Sequence, residues 1–439
     1  MSGEFPGALM FKPRFQLTVL VAFACALLAR PAAAESQVRI VRLSDVQGGV
    51  QIDKHAGLGY ENAFANLPII QGTRLHTKEN GRAEVEFEDG STLRLTPNTT
   101  IEFSQLGTNE GGQHLSTVGL VTGRVYVNWL GKTGDEFDLN FSREKIALSH
   151  AAHFRVAASF RVAEIVSFKN DLEVAGPSET VEVEKKKAVT FDLSDDDKSI
   201  VAKNFSADAY DEWDRQAVEY HDQNAKNNST PVGYGASDLS YYGSYSNLPG
   251  YGAMWQPYFA SAGWNPYMDG AWAWYPGVGY TWASAYPWGW TPYYYGSWTY
   301  VPSYGWGWQP GSGSVWRPGL HYQGAAPNFQ PPVMPVNTMS TVIVGKGGTA
   351  SAKAPAARTL VSRGSAGLGV PRGAYGGLRH LNSEVARSRT GSVYLSAAPQ
   401  FSPSSASKAS FGSAPTVGRS GPVGSAPSGH APAASGGRK

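Results

Sequence analysis

The chain has 439 residues, 41% hydrophobic and 12% aromatic but only 16% charged, with a single cysteine and a formal net charge of +2. That length admits two or three modules. The lone cysteine, Cys25, excludes a disulfide framework and cysteine-built metal sites.

Residues 1–34 read as a secretory signal peptide. Lys12 and Arg14 precede an apolar run from Leu17 to Ala29, too short for a comfortable membrane span, and Ala32-Ala33-Ala34 offers a cleavage site before Glu35. Cleavage there removes Cys25 and leaves no thiol. An uncleaved anchor is the alternative. The expected location is across the inner membrane, in the periplasm or at the outer membrane.

Residues 35–200 alternate apolar and polar side chains like a half-buried sheet. Between Gly81 and Phe103, Ala83, Val85 and Phe87 alternate with Arg82, Glu84, Glu86 and Glu88; Asp89-Gly90 turns the chain, and Leu93 and Leu95 resume the apolar face opposite Arg94. Phe87 and Leu95 are therefore expected inward. Glu86 and Arg94 are expected outward and wet, which would make Glu86→Ala nearly silent. Further strands are expected at 38–43, 50–53, 120–129, 137–141, 154–160 and 164–168, with a hairpin over 180–191 around Lys185-Lys186-Lys187. The fold class is mainly β, with sandwich, barrel and solenoid all open.

Residues 201–232 form a helical connector. Ser206 is placed to cap a helix with acidic first turns, whose Tyr210, Trp213, Ala217 and Tyr220 share a face that packs on the β-domain.

In residues 233–318, a Trp/Tyr/Gly/Pro-rich module repeats itself 26 positions apart, so that Gly263-Trp264, Gly270, Trp272 and Trp282 recur as Gly289-Trp290, Gly296, Trp298 and Trp308. Each unit reads as an aromatic hairpin. Trp272 and Trp274 face Tyr280 and Trp282 across a turn at Pro276-Gly277, and Trp298 and Tyr300 face Trp306 and Trp308. The rings are read as core, because Ala271, Ala273, Ser297 and Thr299 occupy the opposite face. The alternative is a ligand-stacking surface of Trp272, Trp274, Trp290, Trp298, Tyr300 and Trp306.

Residues 319–439 read as a disordered tail rich in Ala, Ser, Gly and Pro. Positions 340–439 carry twelve Lys/Arg against Glu384 alone, a net of +11, which leaves −9 for the rest of a chain whose total is +2. Such an arm suits contact with an anionic envelope surface.

Gly72-Thr73-Arg74-Leu75-His76-Thr77, the run from Gly81 to Thr99 and Gly123-Arg124-Val125-Tyr126-Val127 resemble the FecR domain. FecR proteins sense an outer-membrane transporter from the periplasmic side and control a cytoplasmic sigma factor. Here about sixteen residues precede the apolar segment, fewer than sigma-binding helices need, so the resemblance implies an envelope interaction module without that output. Strings such as Gly289-Trp290-Thr291-Pro292-Tyr293 resemble the Trp/Tyr-rich region that follows a FecR domain in secreted bacterial proteins, and more distantly the aromatic hairpins of choline- and cell-wall-binding modules.

No catalytic residues, cofactor or metal are expected. His150 and His153 lack a carboxylate at ligand spacing, and Asp192 with Asp195-Asp196-Asp197 lacks the spacing and closing Glu of an EF-hand. The leading expectation is a non-enzymatic scaffold or interaction protein of a Gram-negative envelope, with an envelope protein or a polysaccharide such as peptidoglycan as partner and no nucleic acid. A glycan-binding protein and a FecR-type sensor are the competing classes. Oligomeric state stays open.

Overall fold

The computed structural model describes Gly3 and residues 39–194, 198–202, 205–225, 234–311, 316–345 and 358–396. The expected signal peptide with its cleavage site, Cys25, Asp195-Asp196-Asp197 and residues 397–439 lie outside these.

Residues 39–202 form two sheets that share one strand. The first runs through Pro68–Ile69, Val41–Gln47, Arg82–Glu86, Thr92–Leu95, the second half of His114–Trp129, Ala152–Ala158, Val162–Lys169, Ala188–Asp192 and Lys198–Ala202. The second runs through Glu61–Asn62, Val50–Asp53, Arg74–Thr77, Thr100–Thr108, the first half of His114–Trp129, Glu136–Phe141, Glu144–Leu148, Leu172–Ala175 and Thr180–Val183. The shared strand changes sheets at Gly123, whose φ is +100° and where a Cβ would lie 2.5 Å from the Cα of Thr99. Only glycine fits that bend. The inner faces pack on each other, with Phe87 edge-on to Phe137 at 5.7 Å and Trp129 5.1 Å from the same ring. The architecture is a sandwich, not a closed barrel.

Phe87 and Leu95 lie in this core, but the polar face opposite them is not wet. Glu84, Glu86 and Arg94 are all buried, because other parts of the chain cover that face. The expected hairpin over 180–191 is also corrected. Thr180–Val183 pairs with Leu172–Ala175 in one sheet and Ala188–Asp192 with Val162–Lys169 in the other, so Lys185-Lys186-Lys187 crosses between layers.

Helix α1, Ala209–Ala225, lies across the polar face. Its start is fixed by Asp208 rather than Ser206. The Asp208 carboxylate accepts from the amides of Tyr210 and Asp211, while Asp211 accepts from the amide of Asp208, a reciprocal capping arrangement. Helix α2, Ala236–Tyr242, follows.

The aromatic hairpins form in the expected register. Gly270–Tyr275 pairs with Gly279–Ser284, setting Trp272 opposite Trp282, and Ser297–Val301 pairs with Gly305–Gln309, setting Trp298 opposite Trp308. They do not stack as an array, however. The first joins Val342–Val344 in a three-stranded sheet, whereas the second joins the hairpin Gly243–Leu248/Gly252–Pro257 and Tyr322–Gln323 in a five-stranded one. The short helix α3, Thr291–Tyr294, lies between them.

Order extends well past 319, where composition placed the start of the tail. Arg358–Ser362 pairs with Ser392–Ser396, and helix α4, Leu378–Arg387, buries Leu378, Leu381 and Val385 against the aromatic core. Their three- and four-residue spacing was a legible helix signal. The low count of large apolar residues hid it, because this segment borrows the aromatic core of its neighbour. Among the described residues no helix is long and apolar enough to cross a membrane.

Candidate functional site: a buried ion network beneath the connector

The polar face of the first sheet carries Arg42, Glu84, Glu86, Arg94, Arg155 and His153, side chains that alternate with core residues along their strands. Cross-strand pairing sets Glu84 opposite Arg94, and Arg94 Nε donates to Glu84 at 2.8 Å. Glu84 also meets His221 Nε2 of α1 at 3.0 Å, Ser44 Oγ at 2.7 Å and Arg372 Nη1 at 2.8 Å. Arg94 Nη1 donates onward to Asp214 of α1 at 2.8 Å, and His153 Nε2 reaches the other oxygen of Asp214 at 2.6 Å.

A second branch centres on Arg42. Its guanidinium donates to Glu86 at 2.9 Å and to the Pro287 carbonyl at 2.7 Å, and lies 2.7 Å from Asp238 of α2. Arg372 closes the circuit with a 2.6 Å bond to Asp238, whose other oxygen accepts from Tyr220 Oη at 2.8 Å. Glu86 in turn accepts from the amide of Gly235 at 3.0 Å. Nearer the start of α1, Arg155 forks between Asp211 and Glu164, and Tyr126 Oη donates to Asp211 at 2.9 Å. Asp211 and Asp214 of α1, acidic residues that suit a helix N-terminus in isolation, therefore serve as counterions for the buried Arg155 and Arg94.

These charges are out of water, so the balance of burial against pairing sets each ionisation. Burial pushes the Glu84 carboxyl up, but His221, Arg94 and Arg372 outweigh it and hold the group well below the usual glutamate range. Asp238 is likewise held down, against burial, by Arg372 and Arg42. Glu86 goes the other way, because burial outweighs the attraction of Arg42. Glu84 therefore contributes stability that is complete above the unfolded glutamate pKa of about 4.3 and lost as pH falls through that value toward the depressed folded one. Protonating Glu86 on the way down relieves a cost. Thermal melts from neutral pH downward should accordingly hold level or rise slightly until the pH nears that of unfolded glutamate, then drop. The Glu84→Gln variant should lose part of that acid-limb drop.

Of the six rings considered as a stacking surface, Trp272, Trp290, Trp298 and Trp306 are buried, and Trp274 and Tyr300 are half-buried. Each of the four buried rings has another ring packed against it. Trp298 lies within 5.6–6.4 Å, centroid to centroid, of Trp255, Trp264, Trp288 and Tyr293. Trp290, at the repeat position of Trp264, packs instead on Tyr294 at 4.5 Å, within the core continuous with the sandwich. The Ala271/Ala273 face of the first hairpin is buried as well, so both faces of that hairpin are covered. His150 is exposed while His153 is engaged by Asp214.

Sequence reasoning missed the network because alternation marks a residue as facing away from its own core, not as facing water. The density of paired Glu and Arg on one sheet face, beside a helix with Asp211, Asp214 and His221 at three- and seven-residue steps, was the available signal.

A β-sandwich whose charged face is sealed by a following helix and an aromatic module is the setting in which the family matches fall. Residues 73–173 match the family described as FecR protein, and residues 236–330 match a family of unknown function, DUF6600. The chain thus carries a FecR domain followed by a DUF6600 domain. The sandwich overruns the first match at both ends, and the second covers α2 and both hairpins. No curated protein matches the chain. Two crystal structures of a candidate anti-sigma factor from Parabacteroides distasonis are similar at 13% and 12% identity with TM-scores of 0.27 and 0.26. The aligned part covers 30% of this chain and 59% of theirs, less than two thirds of their length.

Proposed function

We propose that this chain is a non-enzymatic interaction or scaffold protein of a Gram-negative envelope, in which the FecR domain is locked to the DUF6600 domain and used as a structural module. The observation that carries this reading is Arg372. It lies beyond both matched families, yet its guanidinium bonds Glu84 of the FecR domain and Asp238 of the DUF6600 domain at once. The polar sheet face of the FecR domain is thereby occupied by the chain's own residues, which leaves edges and loops for a partner, an envelope protein or polysaccharide. The basic arm beyond 396 supplies a further contact with anionic surfaces. A glycan-binding role through the aromatic repeats is disfavoured by the burial of their rings. A FecR-type sensor is distinguished genetically, since it predicts a sigma-dependent transcript that disappears when the gene is deleted.

Export is the part of the proposal open to direct test. Mass spectrometry of the protein from fractionated cells should find Glu35 at the N-terminus in the periplasmic or outer-membrane fraction. An intact Met1 in the cytoplasmic fraction would overturn the envelope reading.

A further inference from the structure

Exposed apolar side chains concentrate on the strap that leaves the aromatic module. Val333 and Val336 are 88% and 76% exposed, and Met334, Met339, Val342 and Ile343 are exposed with them. Folded chains seldom leave such a run uncovered without a use for it. Exposure along the strap repeats every three residues: Phe329, Pro332, Pro335, Thr338 and Thr341 are half-buried, and the two residues after each are exposed. Pro331, Pro332 and Pro335 stiffen the first part of the strap, and Asn337, at a φ of +62°, turns the chain before Met339. Val333, Val336 and Met339 are exposed residues that follow the half-buried Pro332, Pro335 and Thr338, and Val342 begins the strand Val342–Val344.

The strap is anchored at several points. Phe329 packs on Trp306 at 4.9 Å and Tyr322 at 5.3 Å. Tyr280 Oη donates to the Thr338 carbonyl, and Thr341 Oγ1 donates to Glu61 and accepts from Lys54 Nζ. The strand itself pairs with Gly270–Trp272. On its other side no strand lies beside it among the described residues, so it is the edge of its sheet. Proteins usually blunt such an edge with charge, proline or a bulge. This strand has none of these, only a three-residue length that limits its edge, and no charged residue occurs anywhere from Phe329 to Gly345.

We propose that the strap and this edge form a self-association surface, covered by the same surface of a second copy of the chain across a two-fold axis. The two Val342–Val344 strands pair antiparallel, edge to edge, and the exposed apolar residues of each strap, which leads into the strand, are covered with them. A second copy fits for two reasons. An open edge is completed by another extended edge, which this chain itself carries next to the apolar strap. The surface is also uncharged along its length, so copies meet without repulsion. The proposal is independent of the envelope reading, because it concerns mass in solution and not location.

Sedimentation velocity on the protein, purified in the form cells accumulate and run from about 1 µM to about 100 µM, should show its mass rising from one chain to two. Combining Val336→Asp with Ile343→Lys should weaken the association at least tenfold while leaving the near-ultraviolet tryptophan spectrum unchanged. In a Cys25→Ser background, Ile343→Cys should form a disulfide-linked dimer on mild oxidation. Phe160→Cys, on the sandwich at a residue 84% exposed and so more accessible than Ile343, should not. A single-chain mass throughout would overturn the proposal, including the case in which the monomer binds lipid vesicles or another protein through this strap. A dimer that survives both substitutions, or that crosslinks equally well at 160, would do the same.

Discussion

Replacing Glu84 by alanine should lower the unfolding free energy by about 3–5 kcal/mol, the usual cost of removing one partner from a buried ion pair. Glu84 is nearly inaccessible and is the acceptor shared by Arg94, His221 and Arg372. Its loss strands the guanidinium groups of Arg94 and Arg372 and removes the partner of His221 Nε2, on three separate elements, the sheet, the C-terminal segment and α1. Urea denaturation of the whole chain would measure the effect, with Glu182→Ala on an exposed edge position as the control, expected within about 0.5 kcal/mol of wild type. Glu86→Ala is also expected to destabilise, because Arg42 and the Gly235 amide would lose an acceptor. Its effect should be smaller than that of Glu84→Ala, since Glu86 already ionises reluctantly. If Glu84→Ala costs no more than Glu182→Ala, the network does not hold the domains together. A double-mutant cycle of Glu84→Ala with Arg372→Ala would isolate the long-range link, with strong non-additivity expected for groups in direct contact.

Trp298→Ala should destabilise the aromatic module by about 3–5 kcal/mol, the range for truncating a fully buried large aromatic residue. Trp298 is enclosed by Trp255, Trp264, Trp288 and Tyr293, mostly edge-on or tilted, and its indole N–H has no hydrogen-bond partner among the described residues. Truncation therefore forfeits ring contacts and little else, leaving a cavity that rigid neighbours cannot close. Trp274→Ala, at a half-buried ring, should cost distinctly less. Acrylamide quenching of native tryptophan fluorescence provides a second reading. The intact protein should be weakly quenched and the Trp298→Ala variant more strongly. Strong quenching of the native protein, with Trp298→Ala leaving stability unchanged, would instead indicate exposed rings.

Local pattern was enough to determine the strands around Gly81–Phe103, the two aromatic hairpins and the helix of the connector. In each of these, side-chain period and turn residues act over a few positions: Asp89-Gly90 turns one hairpin, and the paired indoles fix the register of the others. The FecR resemblance was legible for the same reason, being carried by short runs between Gly72 and Val127. Only the tertiary structure decided what covers each face. Glu84, Glu86 and Arg94 alternate as solvent-facing residues would, and they are buried because α1, α2 and Arg372 bring compensating charge from positions far along the chain. The 26-residue repeat likewise fixed two similar hairpins and left their assembly open, so equivalent residues such as Trp264 and Trp290 ended in different cores. Residues 358–396 are too poor in large apolar side chains to form a core of their own. They fold because Trp288 donates to the Ala366 carbonyl and Tyr242 to that of Val370, giving the segment a surface that another part of the chain had already built. Burial depends on neighbours distant in sequence, and no local period records them.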